Sequence, residues 1–275
     1  MAAYYSHFHN HSRSCPHGSS CCASFPQPFI VMFMRMRRLR VVRLLQVFHK
    51  KEKTVLRFLA IFVLLAALSA HGGGRIEKRL AAAGYIDVQQ AVPGLMVELM
   101  YARPDNFTGI VLYDSTERAF LHPDAARALS RAGRLLAKEA PGLRLLVKDA
   151  ARPVSVQRKM FNAVRGTPKA RYVANPARGG GVHNFGLAVD ITLCDSLGNE
   201  LSMGTPVDHL GYESNITAEQ TLLKRGIITA QELTLRRLLR SVMTRAGFKT
   251  IRSEWWHFEL VRRADARQRY KLIDF

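Results

Sequence analysis

Gly181-Val-His183-Asn-Phe-Gly186-Leu187-Ala-Val189-Asp190-Ile191-Thr-Leu193 is the stretch on which the fold turns. From Leu187 to Leu193 the apolar residues Leu187, Val189, Ile191 and Leu193 alternate with Ala188, Asp190 and Thr192, the period of a β-strand. Its second face carries a carboxylate. A buried carboxylate without a partner costs several kcal/mol, so Asp190 requires a cation, a metal or a cage of hydrogen bonds.

Other elements follow on either side. Ala91 to Tyr101 reads as a strand after a Pro-Gly turn, His122 to Glu139 as a helix, and Leu143 to Lys148 as a short buried strand. Val154 to Val164 reads as a helix started by Pro153, Ala230 to Ala246 as an Arg-rich amphipathic helix stopped by Gly247, and Lys249 to Leu260 as a last strand. Arg236, Arg237, Arg240 and Arg245 are expected on the solvated face of that helix. Strands and helices mix without regular βαβ alternation. The expected class is therefore α+β, one domain with helices packed on an antiparallel sheet that carries the site.

The 275 residues carry a formal net charge of +20. Residues 1–70 hold ten Lys and Arg against the single acid Glu52, so much of the excess is terminal. Phe58 to Ala70 is a run of 13 apolar and small residues preceded by Lys50, Lys51, Lys53 and Arg57. About 20 apolar residues are needed to cross a bilayer, whereas a secretory h-region needs roughly 7–15 after a basic segment. Residues 55–74 are thus expected to be a signal-peptide region or short anchor, and the protein to be periplasmic or otherwise exported. Residues 1–54 are expected to be a disordered basic extension, the first thirty or so of them lying before an internal start such as Met34 or Met36. The His- and Cys-rich tract before residue 31 lacks the spacing of a structural zinc site. Three of the four cysteines lie there, leaving Cys194 as a small buried hydrophobe at a strand end. Aromatic residues do not interleave with the later Arg run, so a nucleic-acid partner is not expected.

The chemistry-bearing residues sit in 181–190 and in Ser253-Glu254-Trp-Trp-His257. Catalytic zinc takes three protein ligands from His, Asp or Glu and leaves a position open. His183, Asp190 and His257 meet that count, and two neutral imidazoles with one carboxylate keep the metal a good Lewis acid. A further carboxylate must then act as base, and Glu254 lies three residues before His257. In a regular strand those two side chains would face opposite ways, so a break in pairing is expected between them. Gly179-Gly180-Gly181 predicts unusual backbone before the first ligand, and Gly186 a close approach to the strand bearing Asp190.

The H-x6-D and E-x-x-H pair, with its Trp-Trp, resembles the D-alanyl-D-alanine dipeptidases related to the vancomycin-resistance dipeptidase. Further segments match in order: Tyr101-Ala-x-x-Asp105-Asn-Phe-Thr-Gly109, Asp149-x-x-Arg152-Pro153 and Met203-Gly-x-x-x-Asp208. The resemblance runs over about residues 85–275. It implies a zinc D-Ala-D-Ala peptidase fold, one zinc ion on His183, Asp190 and His257, and Glu254 as the base that deprotonates water. It also implies Arg152 at the tetrahedral oxyanion, with Asp208 and Tyr101 contacting the ammonium of a small D,D-dipeptide. One position departs from the pattern: the serine usual two residues before the first ligand is Gly181 here, which touches the contacts to the substrate carboxylate. Two alternatives stay open, a zinc D,D-carboxypeptidase acting on peptidoglycan stems and a non-catalytic zinc-binding domain. A structural zinc would need neither Glu254 nor Arg152.

Overall fold

The computed structural model describes residues 74–275, so the expectations for 1–54 and 55–73 lie outside the described residues. Among the described residues no helix is long and apolar enough to cross a membrane. The strands are β1 (Ile86–Asp87), β2 (Met96–Val97), β3 (Phe120–Leu121), β4 (Arg144–Asp149), β5 (Ala188–Cys194), β6 (Lys249–Thr250) and β7 (His257–Glu259). The helices are α1 (Arg75–Ala82), α2 (Val88–Ala91), α3 (Pro123–Glu139), α4 (Val154–Val164), α5 (Glu219–Lys224), α6 (Ala230–Arg245) and α7 (Arg263–Arg269).

Five strands form one sheet in the order β2-β4-β5-β7-β6, and β1 pairs with β3 in a separate ribbon. The α+β class holds, with one correction to the expected antiparallel sheet: β2 runs parallel to β4, while the other three pairs are antiparallel. Strand β5 lies at the centre and is buried along all seven residues. Its Val189, Ile191 and Leu193 enter the main core with Leu129, Ala132 and Leu136 of α3 and Leu239, Val242 and Met243 of α6. Those two helices pack on each other and against β4 and β5. Cys194 is buried at the end of β5, as expected. Thr229 and Glu232 cap α6 reciprocally, each side chain accepting from the other's backbone N–H.

Two expected strands are shorter than periodicity suggested. Of Ala91 to Tyr101 only Met96 and Val97 pair, and Met100–Ala102 is a 3-10 turn. Lys249 to Leu260 is a hairpin: β6 pairs back onto β7 with Lys249 opposite Glu259 and Thr250 opposite Phe258. Between them Trp255 and Trp256 are both buried in the connecting loop, Trp256 completely. The expected break between Glu254 and His257 is therefore the loop 251–256, and β7 begins at His257.

Register then aligns the chemistry. Asp190 lies opposite His257 on one side and opposite Asp149 on the other. The β4 ladder is irregular between Val147 and Asp149, which lets Asp149 rather than Lys148 stand beside Asp190. Lys148 instead reaches Glu98 and Glu200, at 3.0 and 2.9 Å.

Candidate active site

His183 sits on a 3-10 turn, Val182–Phe185, between Gly181 and Gly186. Gly186 has φ +66°, and a Cβ there would come within 2.5 Å of the Tyr85 ring, so a side chain is excluded on both counts. The imidazole is oriented by its Nδ1, which lies 2.8 Å from the Ala150 carbonyl oxygen. Donation to that carbonyl leaves the Nε2 lone pair facing Asp190.

The Asp190 carboxylate lies 2.9 Å from His257 Nδ1 and 3.3 Å from His183 Nε2. Burial opposes its ionisation, but the two imidazoles prevail and hold its pKa well below the usual carboxylate range. Burial likewise opposes a charge on His257. The hydrogen bond and charge of Asp190 reverse this and raise its pKa to about 9. The far nitrogen of His257, Nε2, is 4.0 Å from Glu259, which Arg262 pairs at 2.7 Å. Potential ligand atoms of His183, Asp190 and His257 all lie within 4.8 Å of one another. Two imidazoles, one of them oriented by the Ala150 carbonyl, and one shared carboxylate are a donor set suited to zinc.

Glu254 reaches the same cavity from the loop 251–256. Desolvation raises its pKa, partly offset by the charge of His257. The two tryptophans anchor this loop: Trp256 is fully buried, and Trp255 Nε1 donates to Thr205 Oγ1 at 2.8 Å.

Arg152 is buried and held in a fixed pose. Its Nε donates to Asp149 at 2.9 Å, Nη2 donates to the same carboxylate, and Nη1 donates to Gln157 Oε1 at 2.9 Å. Nη2 is also 3.8 Å from Asp190. Asp149 in turn accepts from the Tyr113 hydroxyl at 2.5 Å. Fully buried Asp149 thus ties the guanidinium to the ligand row, a role that its place in the Asp-x-x-Arg spacing does not reveal. Asn184 ties the two motifs together, donating to the Arg152 carbonyl at 2.7 Å and accepting from the Gly181 N–H at 2.7 Å.

Asp208 accepts from the Tyr101 hydroxyl at 2.5 Å. It adopts φ +65°, a conformation that non-glycine residues seldom occupy and that is found near active sites. Burial, aided by the charge of Asp190, pushes its pKa up to about 8. Tyr101 is itself buried with the Arg152 guanidinium 5.0 Å from its ring centre, so it stands behind Asp208 rather than in the cavity wall.

Arg236 corrects the sequence reading. It is only 1% exposed, not solvated. It donates to the carbonyls of Met203 and Glu213 at 2.6 and 3.0 Å, closing the two ends of the loop that carries Asp208, and lies 5.4 Å from the Trp255 ring centre. Arg240 forks onto Glu219 at 2.9 and 2.7 Å. Periodicity places a residue on a helix face but cannot show that a loop far along the chain will cover that face.

Arg152, His183, Asp190, Asp208, Glu254 and His257 line one cavity of about 330 Å³. The family described as D-ala-D-ala dipeptidase matches residues 81–274. The chain is 36% identical over 175 residues to the D-alanyl-D-alanine dipeptidase of Escherichia coli K12, covering 64% of this chain and 83% of that protein. It is 30% identical over 193 residues to the D-alanyl-D-alanine dipeptidase of Enterococcus faecalis V583, covering 65% and 92%. The protein of the same name from Streptomyces coelicolor is 31% identical over 194 residues, covering 63% and 89%.

Proposed function

Because the chain belongs to the D-Ala-D-Ala dipeptidase family, we propose that it hydrolyses the free dipeptide D-Ala-D-Ala with one zinc ion on His183, Asp190 and His257. The observation that carries this reading is that Asp208, held from behind by the Tyr101 hydroxyl, lines one small space together with His183, Asp190, His257 and Glu254. Bound there, zinc would supply Lewis acidity to a carbonyl and bring the ionisation of water toward neutral pH.

The protein's own groups do the remainder. Asp208, backed by Tyr101, pairs with the substrate ammonium and sets the distance from that end to the scissile bond. An acylated or extended N-terminus would leave Asp208 without its partner, which favours a free dipeptide over a longer chain. Glu254 takes a proton from the attacking water and passes it to the departing amine, work suited to a carboxyl whose pKa is raised. Arg152, locked by Asp149 and Gln157, donates to the developing oxyanion without changing its protonation state, worth about 3–4 kcal/mol at such positions. The basic segment and apolar run ending at Ala70 support a reading in which the protein is exported and acts outside the cytoplasm.

Chelation should abolish alanine release, and one equivalent of zinc should restore it. Glu254→Gln should keep that stoichiometry while losing about 10²–10⁴-fold in kcat. Activity indifferent to chelation would overturn the metal assignment, and an active Glu254→Gln enzyme would overturn the base.

A further inference from the structure

A zwitterionic dipeptide brings a carboxylate as well as an ammonium, and the charges around the cavity show where it can go. Two arginines line the space, Arg152 and Arg263. Arg152, held by Asp149 and Gln157, is the arginine assigned above to the oxyanion. Glu259, which also lines the cavity, is paired with Arg262. Arg263 has no carboxylate partner among the described residues. Its Nη2 makes one long hydrogen bond, 3.3 Å, to the Arg178 carbonyl, and its Nε is buried with no partner. An unpaired buried donor costs about 1–3 kcal/mol, a cost that an arriving acceptor would remove.

The position is also informative. Arg263 opens α7, and both it and Arg267 donate to the Arg178 carbonyl, so α7 is fastened to the segment running through Gly179 and Gly180 into Gly181. Gly181 lines the same cavity and lacks the hydroxyl that the resemblance leads one to expect there. The one atom within 4 Å that a Cβ on Gly181 would meet is Ala174 Cβ at 3.3 Å, and Gly181 itself offers the cavity no side-chain group.

We propose that Arg263 is the specificity-determining residue for the substrate's C-terminal carboxylate, pairing with it across the wall left bare by Gly181. The inference rests on the dipeptide reading above. Asp208 and Arg263 then take the two charged ends of the substrate, with Glu254 and Arg152 at the bond between them. The pair would favour a free acid over an amide or ester, and on release it frees the amino acid that carries the carboxylate.

The test is calorimetric binding in the zinc-loaded full chain bearing Glu254→Gln, where substrate persists. The ligands are D-Ala-D-Ala and its C-terminal amide, each titrated with Arg263 intact, with Arg263→Met and with Arg263→Lys. Arg263→Met should weaken the free acid by about 10- to 100-fold, the range of one charged hydrogen-bonded pair, and leave the amide unchanged. Arg263→Lys should recover part of the loss, and with Glu254 restored the penalty should fall on KM rather than kcat. Equal effects on acid and amide, or none on either, would overturn the proposal. Failure of the dipeptide reading looks different: wild-type enzyme would leave D-Ala-D-Ala intact. N-acetyl-D-Ala-D-Ala, which ends in the same carboxylate, would then carry the same comparison of variants.

Discussion

Asp208→Asn removes an ionisable group from the cavity while keeping nearly everything else. An Asn side-chain oxygen still accepts from Tyr101, and Asn tolerates the left-handed conformation at φ +65°. Two opposite effects should follow. The Asp208 pKa rises from its ordinary 3.8 to about 8 on folding, so between those values the native protein holds more protons than the unfolded chain. Native stability therefore falls as pH climbs through that window. A shift of this size corresponds to a ceiling of ~5 kcal/mol at pH 8, and partial solvent access reduces it to about 1–3 kcal/mol. Asp208→Asn should thus melt higher than wild type at pH 8, by about 2–4 °C per kcal/mol, with the gap closing toward pH 4. The same change should raise KM for the free dipeptide by about 10- to 100-fold, since an arriving ammonium favours the ionised form of Asp208 and an Asn cannot ionise to meet it. Paired melting curves at pH 5 and 8, with KM measured on the same preparations, decide the matter. A variant no more stable than wild type at pH 8, or an unchanged KM, would refute the reasoning.

Arg152→Lys should lower kcat by about 10²–10³-fold with little change in KM, because a lysine cannot hold the Asp149 fork and still present a fixed donor to the oxyanion. Single-turnover and steady-state rates would check this, and an equal rise in KM would point to ground-state binding instead. Arg236→Met should keep one zinc per chain yet raise KM for the dipeptide, since the carbonyls of Met203 and Glu213 lose the cation that closes the Asp208 loop. Metal analysis beside the kinetics would test it, with lost zinc as the contrary result. Asp149→Asn should destabilise the fold by about 3–5 kcal/mol by leaving the Arg152 charge buried without its partner, read from denaturant midpoints.

The central strand and the residues that gather as a candidate metal set were legible from local pattern, because alternation around Asp190 and the type and order of His183, Asp190 and His257 are properties of the chain itself. Helices α3, α4 and α6 were legible for the same reason, each carrying its own start signal and spacing. What stayed hidden depends on distant partners. The parallel pairing of β2 with β4 is written in neither strand. The spacing of Glu254 and His257 called for a break within Lys249 to Leu260 but did not show that the segment folds back on itself. Arg236 reads as surface because the covering loop lies some thirty residues earlier. Asp149 looks like the end of a strand until the register places it beside Asp190 and under Arg152.

The most direct test is alanine release by the zinc-loaded enzyme from three substrates: free D-Ala-D-Ala, N-acetyl-D-Ala-D-Ala and L-Ala-L-Ala. The account predicts cleavage of the free D,D-dipeptide alone. Comparable cleavage of the acetylated substrate would contradict the role of Asp208 and indicate a carboxypeptidase, and tightly held zinc with no turnover on any of the three would indicate a binding domain.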